Sequence, residues 1–169
     1  MRIKTDRISE IAALLRRETA MYADLHKIAR QIQQSIVKNN IDQLGALVES
    51  EDTLFTRAEN LRQERFSLLQ NLKQELNLTD EEYSLARMLE FMDEEDARQI
   101  QDLRDKLIDS INKLDVVNRN NHVLVNYSLD LNGKFMNLLL NLGENNTVYH
   151  QSGKVKTANT KRRLLDKKA

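Results

Sequence analysis

Apolar residues recur along most of this chain at intervals of three and four, the spacing that puts side chains on one face of an α-helix. From about Asp6 to Lys38 the series is Ile8, Ile11, Leu15, Tyr22, Leu25, Ile28, Ile32 and Ile36. Asn39 and Asn40 interrupt it, and asparagine tolerates the left-handed backbone that helix ends use. A second series, from about Asp42 to Leu76, contains Leu44, Leu47, Leu54, Ala58, Leu61, Leu68 and Leu72. Glu51 and Arg65 fall in the same positions, so that seam is imperfect. Asn77 ends the second helix. Thr79 with Glu82 then has capping-box spacing, which opens a short third helix of about residues 80–92.

The last helix, about residues 93–142, is the longest. Ile100, Leu103, Leu107, Ser110, Leu114, Val117, Asn121, Leu124, Ser128, Leu131, Phe135, Leu138 and Leu142 repeat strictly by threes and fours. A repeat held this long is a coiled-coil-like seam. Such a helix spans roughly 75 Å at 1.5 Å per residue, against roughly 50 Å for each of the first two. Its first residues, Asp93, Glu94, Glu95 and Asp96, read as acids at a helix N-terminus, where the partial positive charge favours them. A carboxylate metal site is the alternative, but no histidine lies near them in sequence. The expected fold is all-α, an antiparallel bundle of long helices joined by short turns. If the first two helices form a hairpin, the last must overhang it or pack on another chain. Gly143 is a natural C-cap, so the expected organisation is a helical domain over 1–142 and a flexible basic tail over 143–169.

Composition narrows this further. The 169 residues suit one domain, with no proline, cysteine or tryptophan and four glycines. Lack of cysteine excludes disulfides, thiolate catalysis and Cys-ligated metals. The chain begins with basic residues but has no apolar signal region after them, and no uncharged stretch long enough to span a bilayer as a simple helix. A reducing, cytoplasmic location is expected. The formal net charge of zero is unevenly spread, at +4 over residues 1–38, −6 over 39–92, −3 over 93–142 and +5 over 143–169. A chain of zero net charge is a poor nucleic-acid candidate. The tail's Lys154, Lys156, Lys161, Arg162, Arg163, Lys167 and Lys168 could attract nucleic acid or anionic lipid, but Tyr149 is its lone aromatic and gives little for bases to stack on. A solvated tail that orders on a partner is the simpler reading.

Charge is nearly absent from residues 120–143, where only Asp130 and Lys134 carry it. The apolar residues there, among them Val123, Val125, Tyr127, Leu129, Met136, Leu139 and Leu140 beside the seam positions, exceed one stripe. A surface helix normally keeps its opposite face charged, so this half is either buried on several sides or docks a partner. Seven asparagines also lie on the second half of the helix, at 118, 120, 121, 126, 132, 137 and 141. Asn121 falls on the seam itself, where a polar residue fixes register at some cost in stability. Gly133 costs about 1 kcal/mol relative to alanine and permits a bend or a close helix contact.

Catalytic signatures are missing. His26, His122 and His150 belong to no HExxH or ExxH pattern, and there is no glycine-rich phosphate loop and no GxSxG elbow. No enzyme activity, cofactor or metal is expected.

Two short elements carry a resemblance. Leu114-Asp-Val-Val-Asn118-Arg-Asn-Asn121-His-Val-Leu124-Val is similar to the L-x-x-x-N-x-x-N-x-x-L-L pattern of FlgN-type flagellar export chaperones, with Val125 in place of the second leucine. Thr147-Val-Tyr149-His-Gln-Ser-Gly153 resembles the family's T-x-Y-x-x-x-G element. The resemblance implies a cytoplasmic type III export chaperone that binds hook-filament junction proteins, keeps their terminal helices from premature assembly and delivers them to the export gate. Carried over, the second half of the long helix and its continuation would hold the client, and on the charge-poor apolar half-helix Leu124, Leu131, Phe135, Leu138 and Leu142 are the expected anchors, with Asn118 and Asn121 positioning them. Tyr149, with Gly153, is expected to dock on the gate's cytoplasmic domain. The competing reading is a structural or adaptor coiled coil that acts by self-association, and a homodimer stays open.

Overall fold

The computed structural model describes residues 2–79 and 85–144, with side chains as far as 141. Its elements are helix α1 (Thr5–Val37), helix α2 (Ile41–Leu76), the short helix α3 (Leu85–Met88) with a 3-10 turn over Leu89–Phe91, and helix α4 (Glu94–Glu144). There is no strand among the described residues. The chain is all-α, its long helices pack on one another, and the expected limits of α1, α2 and α4 agree with those observed to within about two residues.

Asparagine and aspartate set the helix ends. Asn39 takes a left-handed φ of 52° in the α1–α2 turn, and the next residue, Asn40, caps α2 by accepting a hydrogen bond from the Gln43 amide at 3.1 Å. Asn77 closes α2 with a φ of 56°. At Met92 the backbone is extended, so the 3-10 turn and α4 are separate elements. Asp93 then caps α4, its Oδ1 accepting from the Asp96 amide at 3.0 Å. Glu94, Glu95 and Asp96 occupy the first turn of α4, where the helix dipole favours acids. Of the expected third helix, about residues 80–92, the described part is Leu85–Met88 followed by the 3-10 turn over Leu89–Phe91, and Glu82 of the capping-box pattern lies outside the described residues.

The chain divides into two units, residues 1–125 and 126–169. In the first, Ile8, Ile11 and Leu15 of α1 pack with Leu68, Leu69 and Leu72 of α2 and with Ile100 and Leu107 of α4. Further along, Leu25 and Ala29 pack with Ala58, Leu114 and Val117. Positions on α1 and α4 therefore rise together while those on α2 fall, so α1 and α4 run parallel and α2 antiparallel to both. Ile3, Met88 and Met92 close the first cluster, and the Ile3 amide donates to the Phe91 carbonyl at 2.9 Å. Surface ion pairs join α1 to α2 at Arg7–Glu75 (2.9 Å) and Arg17–Glu64 (3.2 Å), each a minor contribution in water. In the second unit the described residues are the last part of α4, 126–144.

Candidate functional site

Along residues 126–141 the large apolar side chains are exposed. Phe135 is 60% exposed and Leu138 54%, and Tyr127, Leu129, Leu131, Met136, Leu139 and Leu140 are similarly open. At about 100° per residue, Asn126, Asp130, Lys134, Asn137 and Asn141 gather on an arc of roughly 80°. The large apolar side chains occupy roughly 220° of the remaining circumference, about twice the stripe that a helix buries on one neighbour. Tyr127, Leu131, Phe135 and Leu138 lie along one edge of that arc, while Leu129, Met136 and Leu140 lie along the other. Three of the expected anchors, Leu131, Phe135 and Leu138, thus belong to an open apolar face, broader than the single series that the heptad spacing marks. Gly133 has open space around it, so nothing there requires a close helix contact.

Asn118, Asn121 and Leu124 lie in the first unit. Leu124 is half-buried and Asn118 exposed. Asn121 points inward, 8% exposed, and its Nδ2 donates to the Ala29 carbonyl at 2.8 Å. That bond joins α4 to α1 at one level, which is how a polar residue on an apolar seam sets register. The amide's other atom, Oδ1, is buried without a partner.

Both asparagines line an open groove of about 420 Å³ between α1, α2 and α4. Each helix supplies apolar or amide residues seven apart: Leu25 and Ile32 from α1, Val48 and Phe55 from α2, Leu114 and Asn121 from α4. Glu51 and Asp52 complete the α2 wall. Burial pushes the Glu51 carboxyl above its usual pKa. Leu44, Leu47 and Leu54, on the same half of α2, are only half-buried, and Val48 and Phe55 are exposed. This half of α2 contributes no fully buried residue before Ala58.

A buried ion pair fixes α1 against α2. Glu18 is 1% exposed and accepts a hydrogen bond from Arg65 Nε at 2.6 Å. Arg65 was visible as a charge on the α2 seam, whereas Glu18 was missed. Its signal was the gap of seven between Leu15 and Tyr22, which leaves one seam position at 18.

The expected residues Tyr149 and Gly153 and the basic tail lie outside the described residues, as does the side chain of Leu142. Among the described residues no group of three or more His, Asp or Glu side chains could hold a metal ion, and no helix is long and apolar enough to cross a membrane. A family model described as FlgN protein matches residues 1–157. Searches of curated proteins and of solved structures find no match.

Proposed function

The chain belongs to the FlgN family, a family of flagellar export chaperones, and from that premise we propose that it binds hook-filament junction proteins in the cytoplasm and delivers them to the export gate. The observation that carries this reading is the open apolar arc of α4 over residues 126–141. Such a surface is costly to leave in water, and a sticky client helix would cover it. Leu131, Phe135 and Leu138 are the central anchors, with Leu124 and Leu142 extending the same series. An arc of roughly 220° is too wide for one client helix, so the client contacts α4 on more than one side, as two helices or a wrapping segment do. Asn121 holds the first part of α4 in register on α1, and Asn118 lies one turn earlier on the same side.

The test is recovery of hook-filament junction proteins from the cytoplasm of a flagellated host, with the full chain as bait beside the double variant Phe135→Asp, Leu138→Asp. Both positions are exposed, so the variant should keep its helix content and thermal midpoint while losing the client. Undiminished recovery by a folded variant would sink the reading. Recovery of the chain alone, as a stable dimer, would favour a self-associating coiled coil. Export-gate docking is assigned to Tyr149 with Gly153. Tyr149→Ala should leave client recovery intact while weakening binding to the gate's cytoplasmic domain. Equal gate binding by the two chains would remove Tyr149 from that role.

A further inference from the structure

The groove between α1, α2 and α4 has three features that single it out from the rest of the helical surface. Its walls repeat every seven residues on all three helices, about 10.5 Å of helix axis, which is the repeat that a further helix reads when it packs knobs into holes. Its polar groups are acceptors or neutral amides. Glu51 and Asp52 are carboxylates, the Asn121 Oδ1 is buried without a partner, and no lining residue is cationic. The surrounding part of α2, residues 41–56, carries Asp42, Glu49, Glu51 and Asp52 without one lysine or arginine. On this stretch Ile41, Val48 and Phe55, again seven apart, are exposed.

We propose that this groove is a second docking surface, distinct from the apolar arc of α4, and that it takes an amphipathic helix of a partner protein that carries a lysine or arginine between apolar residues. The apolar residues, one heptad apart, would sit against Val48 and Phe55 on one wall and Leu25, Ile32 and Leu114 on the others. The cationic side chain between them would reach the carboxylates of Glu51 and Asp52. A partly desolvated carboxylate such as Glu51 makes a stronger charge-assisted hydrogen bond than one in bulk water. Aliphatic stems of lysine and arginine suit the purpose, since they cover apolar walls while the charged head finds its acceptors. An acidic helix would be repelled by the same surface.

The experiment uses the full chain, isotopically labelled, titrated with a short helical alanine–leucine peptide that carries one central arginine, and with its twin that carries glutamate there. The arginine peptide should shift the Asn121 side-chain amide and the backbone signals of Val48, Glu51 and Phe55, and the glutamate peptide should not. Glu51→Lys should weaken the arginine peptide about tenfold, the equivalent of one charge pair held away from solvent. Asp52→Lys, at an exposed position, provides the same comparison should Glu51→Lys disturb folding. Phe135→Asp should leave this binding unchanged, which separates it from client capture. Equal binding of the two peptides, or shifts confined to residues outside the groove, would overturn the proposal. So would movement of the Val48 and Phe55 signals on dilution of the free chain, which would give the groove to a second copy. Displacement of the probe by a peptide of residues 154–169 would give it to the chain's own terminus, with the same consequence.

Discussion

Replacing Asn121 by leucine should leave the protein as stable as before or make it more so, although Asn121 makes a side-chain hydrogen bond that joins α4 to α1. The bond from Nδ2 to the Ala29 carbonyl, at 2.8 Å, contributes roughly 0.5–1.5 kcal/mol net. Its loss leaves no orphan, because Ala29 lies inside α1 and its carbonyl also serves the helix ladder. Against that stands Oδ1, buried without a partner, at a desolvation cost of roughly 1–3 kcal/mol. Leucine is similar in size and adds apolar contact at a site that is 8% exposed, beside the cluster of Leu25, Leu114 and Val117. The two polar contributions roughly cancel or favour leucine, so Asn121→Leu should fall between neutral and about 2 kcal/mol more stable. Asn121→Asp is the control: it removes the donor, sets a carboxylate against a carbonyl oxygen, and should cost roughly 3 kcal/mol or more. Urea unfolding followed by circular dichroism reads both, as a shift in midpoint at constant slope. Destabilisation of Asn121→Leu beyond about 1.5 kcal/mol would refute the reasoning, since it would mean that Oδ1 is satisfied in the free protein.

The remaining predictions concern charge inside the bundle. Glu18→Leu alone should lose about 3–5 kcal/mol, because it strands Arg65 beside an apolar residue, whereas Glu18→Leu with Arg65→Met should lie within about 1 kcal/mol of the parent. A double-mutant cycle in urea checks this, and additive losses would show that the two side chains do not act as a pair. Glu51 has a folded pKa above its ordinary 4.5 because of burial. Its ionisation therefore costs stability above the folded pKa, and the cost disappears once the pH is below the unfolded value. Glu51→Gln should raise the thermal midpoint at pH 7.5 and leave it unchanged near pH 4, and an equal shift at both would rule out this origin.

The amino-acid pattern by itself determined that the chain is helical and where its long helices begin and end. Those properties are local. Three-and-four spacing selects a face, Asn39 and Asn77 supply left-handed ends, and Asp93 offers its carboxylate to an amide three residues on. The scarcity of charge over 120–143 marked this part of α4 as either buried on several sides or open to a partner, and the side chains over 126–141 are exposed. Periodicity says which face is apolar but not what that face meets, and tertiary structure decided the rest. Glu18 could enter the core only because Arg65, 47 residues away, arrives at the same level on an antiparallel helix. Asn121 turned inward because α1 brings a carbonyl within 2.8 Å of it, 92 residues away. The groove at Glu51 exists because three helices with heptad repeats converge there and, among the described residues, no further element fills the space. Contacts of that separation depend on helix direction and register, which follow from packing the whole unit rather than from any window of its sequence.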